Sequence, residues 1–523
     1  MALKKNQYET ALTITEFKGL YQGAEMNTGM GYAKRGANFD TTGGGLKSMS
    51  DGYLHVPAAL DAPITTLMLL YRRFLDEKSV FSDSNAIFIA VSGGKIYARP
   101  VDRAASEDAQ WRQLDGGASG GQAIAISVTN GVFDYVTYQV SEYYVKDGHR
   151  VDPKTEGCAA VEAANPIDVL IMTNADDGMY IVYGDTLDVV PFEVRPAGAA
   201  QAMKFGIITR HAERIWGGGI LGDPDKLMFS ATLNPLDWEQ NSNYPEDGAG
   251  DIEQPSWDGD SFVALRTYGS YLLALKRNRI WRVSGTNPGE YYWKEQFGGG
   301  TIVENTVVVY NDYMYLLSYD GIMAYDGTSV QRYRQQYVRD FIDGINWQYV
   351  HRAVAAMRGA VYCLAVPTGD SKINNAILEY NTQERTFNIR EGVYVDSFLA
   401  YEDELYFTDG RASDGGAVYH FRGGTKMLPM EYITAYQDLG YKGVTKSGFE
   451  LYLTADAAIS VTAAIRTEKK YKARTVQLEA NKTKKLRLNA TGRMFRLELR
   501  VPETTDAWKL LGTVEIDLET DWD

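Results

Sequence analysis

Apolar and polar residues alternate along most of this chain in short runs, separated by turns rich in Gly, Asp and Asn. In a typical unit, an apolar run at 86–90 is followed by Gly93-Gly94 and then by a tyrosine-bearing run at 95–97. Similar units occupy residues 169–184, 271–285, 313–327 and 405–421. A period of two on both sides of such turns predicts antiparallel β-hairpins.

The spacing of these units, about 35–50 residues, is typical of the blades of a β-propeller. One small twisted sheet cannot bury both of its faces, but sheets packed around an axis cover one another. Residues 60–425 are long enough for about seven blades of ~40–45 residues, and six to eight are possible because residues 101–165 show no clear pattern. An array of sandwiches or jelly rolls is the alternative for a strand-rich chain.

Both ends of the chain differ from this middle part. Residues 1–59 are rich in glycine and weakly periodic, which predicts an extended arm with the first strands, able to reach a neighbouring subunit. A disordered tail is the alternative. Residues 426–523 alternate cleanly and predict a small C-terminal β-sandwich. Its expected strands are 449–454, 459–466, 475–480, 484–490, 494–501 and 513–519.

One stretch, residues 334–348, has a helical pattern. Val338, Phe341, Ile342 and Ile345 recur there at helical spacing between polar neighbours. This predicts a short helical insertion that covers a blade edge or meets a partner.

Composition supports the prediction of β-structure and indicates the cellular compartment in which the chain folds. The 523 residues include 36 Tyr, 51 Gly and 9 Trp, a mixture suited to pleated surfaces and tight turns. Cys158 and Cys363 are the only cysteines, and residues 1–20 lack the apolar stretch of a signal peptide. No run of about 18 apolar residues is present to span a bilayer. We therefore expect synthesis and folding in a reducing cytoplasm and no membrane partner.

Charge is unevenly distributed. Residues 421–523 hold 17 Lys and Arg against 14 Asp and Glu, whereas residues 1–420 hold 36 against 54. An acidic body disfavours tight wrapping of nucleic acid. The C-terminal cations are expected at outward or turn positions, where lysine protects edge strands, and a phosphate-binding patch is the alternative. They include Lys469, Lys470, Lys472, Lys482, Lys484, Lys485 and Arg487.

We find no catalytic or metal-binding pattern in the sequence. The five histidines, at 55, 149, 211, 351 and 420, have no ligand spacing, and no nucleophile elbow, P-loop or calcium loop occurs. The runs 217–219 and 298–300 are glycine turns. Asp223, Asp225, Asp258 and Asp320 are examples of acids that could in principle form a glycosidase pair. With 68 acids in the chain, some are expected to lie close together by chance, so these residues do not define such a pair. The sequence therefore predicts a protein that is not an enzyme, with no catalytic, cofactor-binding or metal site and no cofactor.

Several segments carry a family resemblance. Residues 17–48 contain Phe17-x-Gly19, Asn38 and then Gly43–Gly45 with Lys47, and this order resembles the start of the tail and neck propeller proteins of short-tailed phages. The segment 211–238 is similar to their blade with His-x-x-Arg-Ile-Trp, Asp-Pro, Ser and Asn-Pro. Residues 274–285 and 316–327 resemble successive blades.

The resemblance implies a virion structural protein of the tail hub or nozzle type. Such a protein would form a ring of its own copies, expected to be hexameric, below the portal and adaptor. Genomic DNA would pass through this ring without sequence-specific contact, and an acidic lumen would repel phosphate. The first alternative is a carbohydrate-binding or receptor-binding propeller of the lectin or sialidase kind. A scaffold of WD repeats is disfavoured because its Gly-His and Trp-Asp signatures are missing.

Overall fold

The chain folds mainly into short strands joined by turns and loops, as predicted. The computed structural model describes residues 6–57, 60–102, 110–119, 122–124, 126–129, 131–195, 201–241, 243–255, 259–296, 298–333, 337–411, 413, 415–421, 423–424, 426–511 and 513–522. Its sheets are small and almost wholly antiparallel. This confirms the all-β class.

The N-terminal segment contributes five strands; β1, β2, β4 and β5 pair with strands from elsewhere in the chain, and β3 pairs with β4. They are β1 (Asn6–Ile14), β2 (Ala33–Ala37), β3 (Phe39–Asp40), β4 (Leu46–Ser48) and β5 (Tyr53–Val56). A short 3-10 turn, Thr42–Gly44, connects β3 to β4.

Residues 64–296 then form four sheets in succession. The first sheet consists of β6 (Ile64–Tyr71), β7 (Ala86–Ser92), β8 (Lys95–Pro100) and β9 (Arg112–Leu114). The second has seven strands: β10 (Gly116–Ser119), β11 (Gln122–Ile124), β12 (Asp134–Lys146), β13 (His149–Val151), β14 (Ala159–Asn174), β15 (Gly178–Tyr183) and β16 (Val189–Phe192). The third contains β17 (Ile207–His211), β18 (Arg214–Gly218), β19 (Lys226–Phe229) and β20 (Gly250–Glu253). The fourth contains β21 (Ala264–Tyr268), β22 (Tyr271–Leu275), β23 (Ile280–Ser284) and β24 (Tyr292–Gln296), with the 3-10 turn Pro288–Glu290.

Three further sheets complete this series. The fifth contains β25 (Val308–Tyr310), β26 (Tyr313–Ser318), β27 (Gly321–Tyr325) and β28 (Val330–Arg332), preceded by the 3-10 turn Glu304–Thr306. The sixth contains β29 (Val354–Arg358), β30 (Val361–Val366), β31 (Ala376–Asn381) and β32 (Thr386–Glu391), preceded by the turn Val350–Arg352. The seventh contains β33 (Ser397–Tyr401), β34 (Glu404–Thr408) and β35 (Val418–His420), and β5 pairs with β35 as its outer strand.

The hairpins predicted from sequence are confirmed as inner strand pairs of these sheets. They correspond to β7–β8, β14–β15, β22–β23, β26–β27 and β34–β35. In the first of them, Ser92 pairs with Lys95 across the Gly93-Gly94 turn. Both glycines have positive φ, of 55° and 77°, which explains why the turn needs glycine.

Apolar clusters connect each sheet to the next. Leu70 of the first sheet packs in one cluster with Leu170 of the second, and similar clusters join the following pairs. Phe88 of the first sheet also shares a cluster with Leu399 and Val418 of the seventh. The seven sheets therefore form a closed cycle in contact order, an arrangement compatible with a propeller-like fold.

Two C-terminal sheets pack against each other and form what we call the C-terminal unit. Their strands are β36 (Met430–Thr434), β37 (Thr445–Leu453), β38 (Ile459–Thr467), β39 (Tyr471–Leu478), β40 (Lys484–Gly492), β41 (Phe495–Val501) and β43 (Val514–Trp522). One sheet has the order β1-β43-β37-β40 and the other β2-β36-β41-β38-β39. Between them, Leu451 and Ile516 of the first sheet share a core with Ile465 and Leu497 of the second. The short β42 (Lys509–Leu510) pairs with β4.

The N-terminal segment differs from the expected extended arm. Over its whole length β1 pairs with β43, from Asn6 opposite Trp522 to Ile14 opposite Val514. Strand β2 pairs with β36 in the other C-terminal sheet. Phe17 and Phe39 are buried and pack edge-on against Tyr432, so the segment obtains a core from the C-terminal unit. A contact with a neighbouring subunit remains a prediction, and residues 1–5 lie outside the described part.

The predicted helical stretch contains a five-residue helix, α1 (Arg339–Asp343). Phe341 and Ile342 are buried, and so is the flanking Ile345. The helix ends at Gly344 because Ile345 forms a β-bridge with Thr368. Residues 334–336 of the predicted stretch lie outside the described residues.

Candidate functional site

All seven serial sheets contribute residues to a central cavity of about 360 Å³. Residues from β6, β12, β17, β21, β29 and β33 line it, together with Asn305 and Val307 at the start of the fifth sheet. Most sheets thus present their first strand to the same space, whereas the second sheet presents β12 and the fifth presents the segment just before β25.

Ion pairs occupy much of this cavity. The Arg266 guanidinium contacts the Glu304 carboxylate, and its Nε donates to the carbonyl of Val307 at 3.1 Å. Arg352 donates through Nη2 to both oxygens of Asp396, at 3.0 and 3.2 Å. The two arginines of the lining are therefore each paired with a carboxylate of the same chain.

Asp134 differs from the other acids of the lining because it lies near two charged side chains without an ion pair to either. Its two oxygens accept hydrogen bonds from the backbone N–H groups of Ile208, at 2.7 Å, and Tyr135, at 3.0 Å. Burial raises the pKa of Asp134 well above its usual range, Glu304 raises it further and Arg266 opposes both. Its burial therefore makes Asp134 hold a proton more readily than an exposed aspartate does.

The hydroxyl groups of the lining serve structural hydrogen bonds. Thr65 and Thr66 both donate to the carbonyl of Gly131, at 2.7 and 2.6 Å. His351 is the described histidine of the lining, and no hydroxyl or thiol nucleophile among the described lining residues hydrogen-bonds to it. The described lining therefore contains no nucleophile activated by a base.

A second, larger groove of about 850 Å³ lies between the sixth and seventh sheets and the C-terminal unit. Its ion pairs include Arg411 with Asp409, at 2.6 Å, and Lys426 with Glu503, at 2.9 Å. Burial raises the pKa of Glu391, which also lines the groove, and the negative charge of Glu431 raises it further. The groove is polar and accessible, and acids outnumber bases along it.

The acids considered from sequence have cationic partners of their own. Asp223 pairs with Lys226 at 2.9 Å, Asp225 with the buried Lys276, and Asp320 with Arg332 at 3.4 Å. Asp258 lies outside the described residues. The three described acids are thus structural ion-pair partners.

Two histidines that are distant in sequence are neighbours in the fold. His55 of β5 and His420 of β35 have ring centroids 5.9 Å apart, and His420 Nδ1 lies 3.9 Å from the Glu404 carboxylate. His55 Nε2 is 2.9 Å from the carbonyl of Val101. Over the described residues, no three His, Cys, Asp or Glu side chains form a group able to hold a metal ion. Sequence spacing did not reveal this pair, because the strand pairing that creates it is non-local.

Both cysteines are free thiols in the folded chain, and they differ in environment. Cys158 is partly exposed, whereas Cys363 is buried in the sixth sheet. Burial raises the pKa of Cys363 to about 12, opposed by Arg358. Cys363 therefore remains a protonated thiol without nucleophilic reactivity.

The residues behind the family resemblance have structural roles. Gly19 has a φ of 76°, and a Cβ there would approach the carbonyl of Phe387 to 2.5 Å. Lys47 donates to the carbonyl of Thr42 at 2.6 Å and fixes the Gly-rich turn. Trp216 and Trp238 of the segment 211–238 are buried in the clusters on either side of the third sheet.

The C-terminal unit carries opposite charges at its two sides. Exposed cations on β39, β40 and their connecting turns form what we call the basic edge: Lys469, Lys470, Lys472, Arg474, Lys482, Lys484, Lys485 and Arg487. On the other side, β1 and β43 carry Glu9, Glu515, Asp517 and Glu519, which we call the acidic edge. The outward positions predicted for the lysines agree with their exposure, whereas the acidic edge was not anticipated because β1 was not expected in this sheet.

Comparisons with known proteins give little that bears on function. No family model matches the chain, and no curated protein matches it. Among solved structures, apo AztD from Citrobacter koseri is similar at 12% identity, with 60% of this chain and 85% of that chain covered and a TM-score of 0.30. Within the described residues, no helix is long and apolar enough to cross a membrane.

Proposed function

We propose that the seven serial sheets are the blades of a β-propeller and that the C-terminal unit is a β-sandwich docked on it. The closed cycle of apolar clusters and the shared central cavity support seven blades. Strand β5, from the start of the chain, completes the last blade and locks the cycle, as in other propellers closed by both chain ends. The face-to-face apolar packing of two antiparallel sheets supports the sandwich.

On this fold we propose a structural role in a phage virion tail, as a hub or nozzle component below the portal and adaptor. The closed cycle carries the proposal, because a rigid body with loops on two rims offers attachment faces to partners above and below it. Arg266, Arg352 and Asp396 of the central cavity are engaged in ion pairs and Asp134 in backbone hydrogen bonds, which suits a scaffold better than a catalyst. The order of elements shared with tail propeller proteins supports the same role.

DNA would pass between copies of the protein rather than through one copy. The central cavity of a single chain is small and crossed by the Arg266–Glu304 and Arg352–Asp396 pairs. A channel must therefore be enclosed by a ring of copies. The acidic body, with 54 acids against 36 bases in residues 1–420, would repel phosphate and let the duplex slide.

The test is to locate the protein in purified particles. Deleting residues 1–50 is unsuitable, because it removes β1 to β4 and with them part of both C-terminal sheets. Instead, a small rigid tag inserted in the exposed turn at Gly157 leaves every described sheet intact, and electron microscopy then shows its position. We expect tag density repeated around the tail axis, below the portal.

Tag density off the tail axis, or particles that lack the protein but still retain and eject DNA, would refute the proposed role. A glycan array provides the counter-test for a carbohydrate-binding propeller. Saturable binding to one glycan, together with an off-axis position, would favour that alternative.

A further inference from the structure

Both edges of the four-stranded C-terminal sheet are open. Its order is β1-β43-β37-β40, so β1 and β40 each have one hydrogen-bonded strand neighbour within the described residues, and the Thr491 carbonyl near the end of β40 accepts from the Thr467 hydroxyl. Each of these edge strands is nine residues long. Open edges of this length present unpaired N–H and C=O groups that readily add another strand.

On the outward face of this sheet, acids concentrate on β1 and its neighbour β43, whereas cations concentrate on β40. Glu9 lies directly opposite Glu519, and Asp517 directly opposite Glu450, so carboxylates are neighbours across β1, β43 and β37. On β40, Lys485 and Arg487 share the single carboxylate of Glu450. Like charges placed opposite each other in a sheet are unfavourable, and a cation from outside would relieve them.

The two edge strands, β1 and β40, also match on the face that points into the core, because both are apolar there. Leu486 and Leu488 of β40 are buried, and Leu12 and Ile14 of β1 point to the same core. Strand directions agree too: each neighbouring pair in the sheet is antiparallel, so β1 and β40 run in opposite directions. A translated second copy would therefore present its β1 antiparallel to β40 and continue the sheet.

We propose that β40 of one copy pairs with β1 of the next, so that copies of this chain assemble head to tail through their C-terminal units. The occupant of each edge is a second copy, because the two edge strands β40 and β1 of the same sheet are complementary in charge, length and direction. The interface is heterologous, which generates a ring if the rotation between copies closes and a filament if it does not. This inference specifies the self-contact of the proposed tail role and in that sense rests on it.

Edge protection by lysine is the simpler explanation for the basic edge, and it is compatible with this interface. Lysines prevent a β40 edge from pairing with another β40 edge, because like charges would meet. They do not prevent pairing with an acidic edge. The same residues thus disfavour the symmetric contact and favour the head-to-tail one.

The test uses charge changes at exposed positions that form no ion pair with another described residue. The acidic-edge variant is Glu9→Lys with Glu519→Lys, and the basic-edge variant is Lys484→Glu with Asn489→Glu. Glu77→Lys with Glu156→Lys is the control, since it makes the same charge change as the acidic-edge variant far from either edge. Circular dichroism checks that each full-length variant folds.

Sedimentation at high protein concentration and low ionic strength measures self-association. We expect the wild type and the control to associate, and each edge variant alone to dissociate with a constant raised about tenfold or more. A mixture of the two edge variants should recover the association, because it restores oppositely charged edges. Association should also weaken in about 1 M salt, where the Debye length falls to about 3 Å.

Wild-type protein that stays monomeric at low salt, or variants that associate as the wild type does, would overturn the proposal. So would binding of labelled duplex DNA that is lost in the basic-edge variant without any self-association. These failures leave the tail location untouched, because the tag experiment measures that location independently.

Discussion

The side-chain oxygen of Asn38 accepts a hydrogen bond from the backbone N–H of Glu391 at 2.7 Å, although 353 residues separate them in sequence. Its amide nitrogen donates to the carbonyl of Pro429 at 2.9 Å. One buried side chain thus connects the N-terminal segment, the sixth sheet and the C-terminal unit. The backbone of Asn38 has a φ of 63°, a conformation that asparagine tolerates better than most residues.

Substitutions of Asn38 can separate the contribution of its hydrogen bonds to stability from that of its left-handed backbone conformation. Asn38→Ala removes both hydrogen bonds and adds left-handed strain, so we expect a loss of about 2–4 kcal/mol in unfolding free energy. Asn38→Gly removes the hydrogen bonds without the strain and should cost less. Urea unfolding of both variants measures the difference, and equal losses would show that strain plays no part.

Glu379 forms the most enclosed ion-pair cluster of the sixth sheet. Arg358 and Arg390 each lie 2.7 Å from its carboxylate. Burial alone would raise the pKa of Glu379, but the two arginines outweigh it and hold the pKa below its usual value. Glu379→Gln leaves the buried Arg390 and the partly exposed Arg358 without this counter-charge, and we expect a loss of about 3 kcal/mol.

An exposed pair provides the control for Glu379. Glu479 contacts Lys482 at 2.5 Å on the surface of the C-terminal unit. Glu479→Gln should change the unfolding free energy by less than about 1 kcal/mol. If both substitutions cost the same, burial of the Glu379 cluster is not what makes it important.

His211 should make stability fall in mild acid. Burial lowers the pKa of His211, so at pH values below its ordinary value of about 6.5 the unfolded chain binds a proton that the folded chain resists. Stability from this group is complete above that pH and is lost as the pH falls through the lowered pKa. His211→Gln should therefore lose less unfolding free energy than the wild type between pH 8 and pH 5, as measured by urea unfolding.

Gly36 is constrained by the approach of β2 to β36. A Cβ at Gly36 would lie 2.1 Å from the carbonyl oxygen of Glu431, and its φ is 147°. Gly36→Ala should push the two strands apart and cost about 1–3 kcal/mol. Gly443→Ala is the control, because nothing lies within 4 Å of a Cβ there, and its melting temperature should stay near that of the wild type.

Local turn chemistry explains which parts of the fold the sequence could predict. The Gly93-Gly94 hairpin and its counterparts are encoded within about 15 residues, so alternation and turn residues suffice to find them. The pairing of β1 with β43 and of β5 with β35 is encoded by nothing local, because both partners are ordinary alternating strands at opposite ends of the chain. Two features of the candidate sites depend on those pairings: the acidic edge and the approach of His55 to His420.

Asp134 shows that chemical properties which depend on non-local contacts are equally hard to predict from sequence. Its pKa is raised first by burial in the central cavity and then by the negative charge of Glu304, 170 positions later. Among 68 acids, no sequence pattern distinguishes it. Composition could predict that the body is acidic, but only the fold brings particular acids together.

Because the first strands pair with the last ones, these strand pairs can form only late in biosynthesis. Strand β5 must wait for β35, and β1 for β43, so neither closure can happen until nearly the whole chain has left the ribosome. At roughly 5–20 residues per second, more than about 18 seconds separate the synthesis of β5 from that of its partner. During that interval β5 has no partner strand, and its apolar side chains are exposed to solvent. Nascent chains on the same messenger RNA could pair β5 of one chain with β35 of another. A chain truncated before residue 418 therefore cannot complete the seventh sheet. It also cannot form the C-terminal unit, through which we infer that copies join.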